Sequence, residues 1–157
     1  MAPFDSKFGP HWRDYLFQSL MATGVIFVVL LVLHLRNAVI VASIGATTFI
    51  IFAMPKSITA NPRRVIGGHI VGLMCGSMIS FLPTHEGIVS MALFAGAVGL
   101  SIFLMVITNT EHPPASGTAL GVAITGISLR IVLALLFSIC VLSIFHHLAR
   151  SRLRDLT

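Results

Sequence analysis

The chain has 157 residues, of which 56% are hydrophobic and only 10% charged, and its mean hydropathy is +0.98. A soluble domain carries about a quarter charged residues, so this chain has too few polar groups to cover a water-facing surface, and lipid is the solvent it fits. Ten Lys and Arg against five Asp and Glu leave a net charge of +5. The cations flank apolar runs and form no stripe on one face, which argues against nucleic acid as a partner and for charges that orient a protein in a bilayer.

Taken in order, residues 1–14 read as an interfacial segment, with Trp12 and Tyr15 at the level of the lipid headgroups. This stretch has neither a short apolar signal region nor an Arg- and Ser-rich transit composition, so the expected location is a prokaryotic plasma membrane. A transmembrane region follows over 15–148, and 149–157 reads as a basic cytoplasmic tail. A spanning helix needs about 20 apolar residues. The runs 15–34, 38–55, 65–82, 88–108 and 131–148 meet or approach that length. Segment 114–129, PASGTALGVAITGISL, is short and rich in small residues, and hydropathy alone leaves it as a loop or a re-entrant piece.

Charge arbitrates. If 114–129 crosses, Lys7, Arg13, Lys56, Arg63, Arg64, Arg150, Arg152 and Arg154 share one side, and only Arg36 and Arg130 lie on the other. If it does not cross, the division is six against four. The positive-inside rule prefers eight against two. The expectation is therefore an all-α polytopic bundle with six crossings and both termini cytoplasmic; five crossings plus a re-entrant segment is the alternative. Six crossings also allow a 3+3 inverted repeat. Aligned without a gap, NAVIVASIGATTF (37–49) and TEHPPASGTALGV (110–122) match Ala42-Ser43 to Ala115-Ser116 and Ala46 to Ala119. Interrupted small-residue helices in inverted halves are where transporters place their sites.

The chemistry-bearing residues gather in two clusters. In TNTEHPPASGTALG (108–121), Pro113 and Pro114 suit the first turn of a helix, because the N–H groups there lack helical partners anyway. Asn109 lies in the loop before them. Ser116, Gly117 and Thr118 then offer hydroxyls, a close approach to backbone, and N–H groups at the positive end of a helix dipole, which is anion-binding chemistry; a plain cap followed by packing residues is the bland alternative. In ITANPRRVIGGHIVG (58–72), Asn61 and Pro62 read as a cap and first turn. Arg63 and Arg64 are ill placed for the dipole and serve topology, lipid phosphate or an anion vestibule. His69 and His112 each either relay a proton or are buried structural groups. Glu111, beside an anion route, is expected to cap the helix or to pair with Arg63 or Arg64. Ser43, Gly45 and Thr47 are the counterpart from the second helix.

Gly68, Gly72, Gly76 and Ser80 recur every four residues, as do Gly117, Gly121 and Thr125, and both series read as ridges for close helix packing. His34, His146 and His147 fall at helix ends and read as interfacial. Cys75 and Cys140 read as small core residues without a disulfide. Glu111, His112 and Ser116 contain the residue types of a triad, but adjacent Glu and His project in different directions and the nucleophile elbow is missing. The histidines lack metal-ligand spacing. No enzyme, metal or cofactor is expected.

The blocks IGATTFIIFA (44–53), NPRRVIGGH (61–69) and TEHPPASGTALG (110–121), in that order, resemble the HPP family of integral membrane proteins, named for the tripeptide at 112–114. The resemblance runs from about residue 16 to residue 147. It implies passage of a small monovalent anion, with nitrite as the substrate associated with cyanobacterial and chloroplast members, and it implies four spans or slightly more. So few helices leave one protomer little surface to enclose a path, and a homo-oligomer is expected. The rivals are a non-conducting membrane interaction or sensing module, and a transporter of a small neutral solute.

Overall fold

The computed structural model describes residues 8–33, 38–83 and 87–157. Lys7, His34, Arg36 and Asn37, which entered the charge count, the interfacial histidines and the proposed repeat, lie outside the described residues. Among the described residues six helices follow one another: α1 (Phe8–Leu33), α2 (Ala38–Ala53), α3 (Pro62–Ser80), α4 (Ile88–Ile107), α5 (Pro114–Thr125) and α6 (Leu129–Ala149), with a 3₁₀ turn (Ile58–Ala60) before α3. Among the described residues there is no strand.

The helix boundaries have local causes. The Asn61 side chain accepts from the Arg63 N–H at 3.0 Å and Pro62 opens α3, the cap and first turn expected from the sequence. Ser128 caps α6 in the same way, accepting from the Ile131 N–H. Gly126, at φ 79°, ends α5 in a conformation that L side chains rarely adopt, while its N–H closes the last turn on the Val122 carbonyl. The segment expected to be interfacial is helical from Phe8 and continues into α1 through a kink at His11.

Among the described residues, three helices contain stretches long and apolar enough to cross a membrane: Gly9–Leu31, Ile88–Ile107 and Leu129–Ala149. Val39–Ala53 is apolar but shorter. α3 has 19 residues, but its glycines, serines and two arginines make it less apolar. α5 has 12 residues, or about 18 Å of helix at 1.5 Å per residue, against about 30 Å of hydrocarbon. Six helices are therefore not by themselves six crossings.

Small residues set the packing. α5 lies against α3, α2 and α4, with its closest approach to α3. A methyl group at Gly72 would collide with the Ala115 carbonyl oxygen, and one at Gly76 would come within 2.5 Å of the Ala119 carbonyl oxygen. On its other side, α5 turns Gly117 toward Ser43 and Gly121 toward Ile40 and Val39 of α2. Both glycine ridges read from the sequence are thus contact faces, one on α3 and one on α5. The apolar core proper joins α2 to α6 through Ile44, Ile51, Phe52, Leu135, Ile139 and Leu142. Phe52 stacks at 4.9 Å on Phe145.

Residues beyond α6 fold back onto the bundle. The Leu156 N–H donates to the Ala53 carbonyl at 2.8 Å, and Leu153 is buried. Gln18 grips the backbone of Arg154 from both sides: its Oε1 accepts from the Arg154 N–H at 2.9 Å and its Nε2 donates to the Arg154 carbonyl at 2.8 Å. Tyr15, expected at the headgroups, donates its hydroxyl to the Leu156 carbonyl at 2.8 Å. His146 lies at the end of α6 as expected but is buried against protein, and its Nε2–H donates to the Pro55 carbonyl at 2.7 Å. One further expectation is corrected: Cys140 is exposed on α6, whereas Cys75 is buried; neither forms a disulfide.

Candidate functional site

The helices bring most of the singled-out polar residues to one place. Ser43 and Thr47 lie one turn apart on the face of α2 that meets α5 and α3. His69 projects from α3, Thr118 from α5, and His112 from the turn just before the proline pair. All five are buried, His69, His112, Thr47 and Thr118 completely.

They form one continuous chain of contacts. His112 Nδ1–H donates to the Thr59 carbonyl at 2.9 Å, and His112 Nε2 lies 2.9 Å from the Thr47 hydroxyl. The same hydroxyl lies 2.9 Å from His69 Nε2. His69 Nδ1 is 2.9 Å from the Thr118 hydroxyl, which is 2.8 Å from the Ser43 hydroxyl. Ser43 closes the chain by donating to the Pro114 carbonyl at 2.6 Å. The two imidazole centroids are 5.2 Å apart. Polar groups removed from water cost several kcal/mol unless bonded, and here each nitrogen and hydroxyl lies within hydrogen-bond distance of another polar atom. Glycine makes the approach possible: a methyl at Gly68 would fall 2.8 Å from the His112 Cβ, and one at Gly117 would touch Ser43.

The helix end differs from its sequence reading. The Ala115 N–H donates to the His112 carbonyl at 2.9 Å and the Ser116 N–H to the Pro113 carbonyl at 3.1 Å. Two of the amides expected to face a ligand are therefore held by the chain's own carbonyls, because 3₁₀-type bonds tighten this first turn. What points from the corner toward open space is side chain. A cleft of about 430 Å³ between α4 and α5 is lined by Met105 and Val106 and by Glu111, His112, Pro113 and Ser116. A second, of about 410 Å³, lies between Pro113-Pro114 and Ala46, Phe49 and Ile50 of α2. The proline pair is thus a wall between two clefts, with Pro113 exposed and Pro114 buried.

Of the remaining sequence-derived residues, Arg64 binds the Glu111 carboxylate through one guanidinium nitrogen and the Asn109 side-chain oxygen through the other. That is the pairing expected for Glu111, and it neutralises an acid at the edge of the larger cleft. Asn109 sits at φ 55°, a left-handed turn that this residue type tolerates. Arg63 and Gly45 are exposed and are not part of the cluster. Sequence reasoning missed the Thr59 carbonyl, which carries no side-chain signal, and Gln18, a buried amide in an apolar helix whose rarity there is itself a signal. Among the described residues, no group of three or more His, Cys, Asp and Glu is placed to hold a metal.

With that geometry in view, residues 8–154 match the HPP transmembrane region. The chain belongs to the HPP transmembrane family. Among curated proteins it is 38% identical over 114 residues to a transmembrane protein of Dictyostelium discoideum, which covers 69% of this chain and 39% of that one. A second Dictyostelium discoideum transmembrane protein is 34% identical over 108 residues, covering 65% of this chain and 35% of the relative. The HPP chain therefore spans well under half the length of these relatives. No solved structure matches it.

Proposed function

We propose that this HPP protein is a non-enzymatic transporter or channel for a small monovalent anion, with nitrite the first substrate to test. The carrying observation is that His112 belongs to two structures at once: it lines the larger cleft and it anchors the buried hydroxyl–imidazole chain. An anion entering that cleft meets the Ser116 hydroxyl between apolar walls that exclude competing water and strengthen that hydrogen bond, with the His112 imidazole fully buried behind them. Thr47, His69, Thr118 and Ser43 continue the buried chain behind it. Arg64 draws the anion in while masking Glu111. The anion's partners in this reading are side chains, with Gly117 allowing the close approach of α2, and not the amides of Ala115 and Ser116.

The same reading includes six crossings, α5 together with the extended residues 126–128 completing the fifth, and both termini on the cytoplasmic face of a prokaryotic plasma membrane. Small protomers would associate to enclose the path. An inverted repeat would pair α2 with α5, and their mutual packing through Ser43 and Gly117 supports looking for one. Labelling residues 130 and 150 from either side of sealed vesicles tests the crossing count: label from the same side eliminates the last crossing.

The test of function is nitrite uptake into proteoliposomes containing pure protein. Uptake saturates, and Ser116→Ala and His112→Gln each lower it about tenfold, the scale of one hydrogen bond of about 1.4 kcal/mol. Uptake unchanged by both variants removes the site. Failure to move any small anion removes the function and favours a sensing module.

A further inference from the structure

The buried chain has six links and ends on a carbonyl at each side. In order, it runs from the Thr59 carbonyl through His112, Thr47, His69, Thr118 and Ser43 to the Pro114 carbonyl. A carbonyl only accepts, so both terminal links need a proton from within. Each of the five members, when neutral, carries one N–H or O–H proton for these contacts. Five protons cannot fill six links. Wherever the tautomers and hydroxyl rotors are set, one contact is left with lone pairs facing each other. The Thr47 hydroxyl also lies 3.0 Å from the Ser43 carbonyl one turn back in its own helix, a local contact separate from these six links. A single extra proton, placed on either imidazole, fills all six links.

From this count we infer that the chain is a binding site for one proton, shared between His69 and His112, and that the proton enters and leaves together with the transported anion. This rests on the anion reading above and deepens it. An imidazolium alone in a dry bundle is costly, and so is an anion alone; each offsets the other's loss of hydration when both are present. A second proton has no unfilled link, and the two rings are too close to share two charges in so dry a place. In the step itself, one N–H bond forms as a proton arrives from water and is broken when it is released on the far side; nothing else is made or consumed.

No other group competes for the role. α2, α4 and α5 contain no titratable side chain. α3 contributes His69, Arg64, the exposed Arg63 and the buried Cys75, α6 contributes the buried His146, bonded to the Pro55 carbonyl, and the turn before α5 contributes His112 and Glu111. Arg64 and Glu111 hold one another at the edge of the cleft. Lys56, ahead of the Thr59 turn, is exposed.

The arithmetic gives a specific test, since removing a hydroxyl should abolish the proton deficit while both histidines remain. Ser43→Ala deletes one proton and two links, leaving four links and four protons. Thr118→Val leaves three links and three protons between Thr59 and His69, with Ser43 still serving Pro114. Proteoliposomes loaded with a pH dye are given a nitrite gradient while nitrite, luminal pH and membrane potential are followed. The intact protein takes up one proton per anion and generates no net current. In both variants the proton-to-anion ratio falls toward zero and the remaining uptake becomes electrogenic, and the second variant guards against the first failing to fold. Anion uptake by the intact protein with no accompanying proton overturns this inference and leaves the anion reading standing. A ratio of one retained in both variants also overturns it. Absence of any anion uptake overturns both.

Discussion

α4 and α5 follow one another in the chain, yet they are built on opposite plans. α4 is 20 residues of almost pure hydrocarbon, and only Ser90, Ala97, Ser101 and Met105 are buried. α5 is 12 residues, mostly Ala, Gly, Ser and Thr, and seven of them are buried, including Pro114, Ala115, Thr118 and Ala119. In water the more apolar helix would lie inside. In lipid that driving force is absent, because acyl chains are as apolar as leucine, and close packing and internal hydrogen bonds determine which helix is enclosed. Thus α4, with Ile88, Phe103 and Ile107 exposed, is a surface, and α5 is the centre.

The sharpest way to break this contrast is to put the same side chain into both plans. Gly72→Leu drives a side chain into the Ala115 carbonyl, backbone that has no room to yield. It should cost about 3 kcal/mol or more, read as loss of folded protein in detergent. Gly99→Leu on α4 points into open space, and its stability should stay within about 0.5 kcal/mol of the parent in the same detergent assay. Equal loss in both would show that α4 is enclosed by something else.

Next come the polar groups. His112→Ala breaks two buried bonds and leaves the Thr59 carbonyl and Thr47 hydroxyl short of partners, for a loss of about 3 kcal/mol, whereas His147→Ala, on an exposed part of α6, should be silent in the same assay. Thr47→Val keeps the shape and removes the hydroxyl shared by both rings, and a loss of about 2 kcal/mol is expected. A silent Thr47→Val would mean the two histidines find each other without it. The smallest effect belongs to the rim. Arg64→Gln separates a pair whose carboxylate side chain is 37% exposed, so after solvent screening its stability cost should stay below about 1 kcal/mol. Its effect should appear instead in the concentration of anion needed for half-maximal uptake.

These contrasts also mark how far the residues alone could be followed. The apolar runs located α1, α4 and α6 because crossing hydrocarbon demands length and apolarity, both readable in one dimension. The caps at Asn61 and Pro62, the proline-led start of α5 and the two glycine ridges were legible because each depends on neighbours within a turn or two. Charge suggested that Glu111 either caps a helix or pairs with Arg63 or Arg64, and the structure selects Arg64, 47 residues away. Chain order could not show that His69 and His112 share one threonine, that Gly45 looks away from the cluster while Ser43 and Thr47 look into it, or that His146 reaches Pro55 across 91 residues.

What the sequence determined by itself is the solvent, the helical class and the inventory of polar groups, since these follow from transfer energies and local backbone preferences. Only the tertiary structure decided which of those groups meet. Contact among α2, α3 and α5 depends on glycines stacked against backbone carbonyls, and the assembled hydroxyls and imidazoles acquire a joint proton count that none possesses separately. The same packing turned the first amides of α5 onto neighbouring carbonyls and enclosed His112, so the half-buried side chain of Ser116 was left at the cleft.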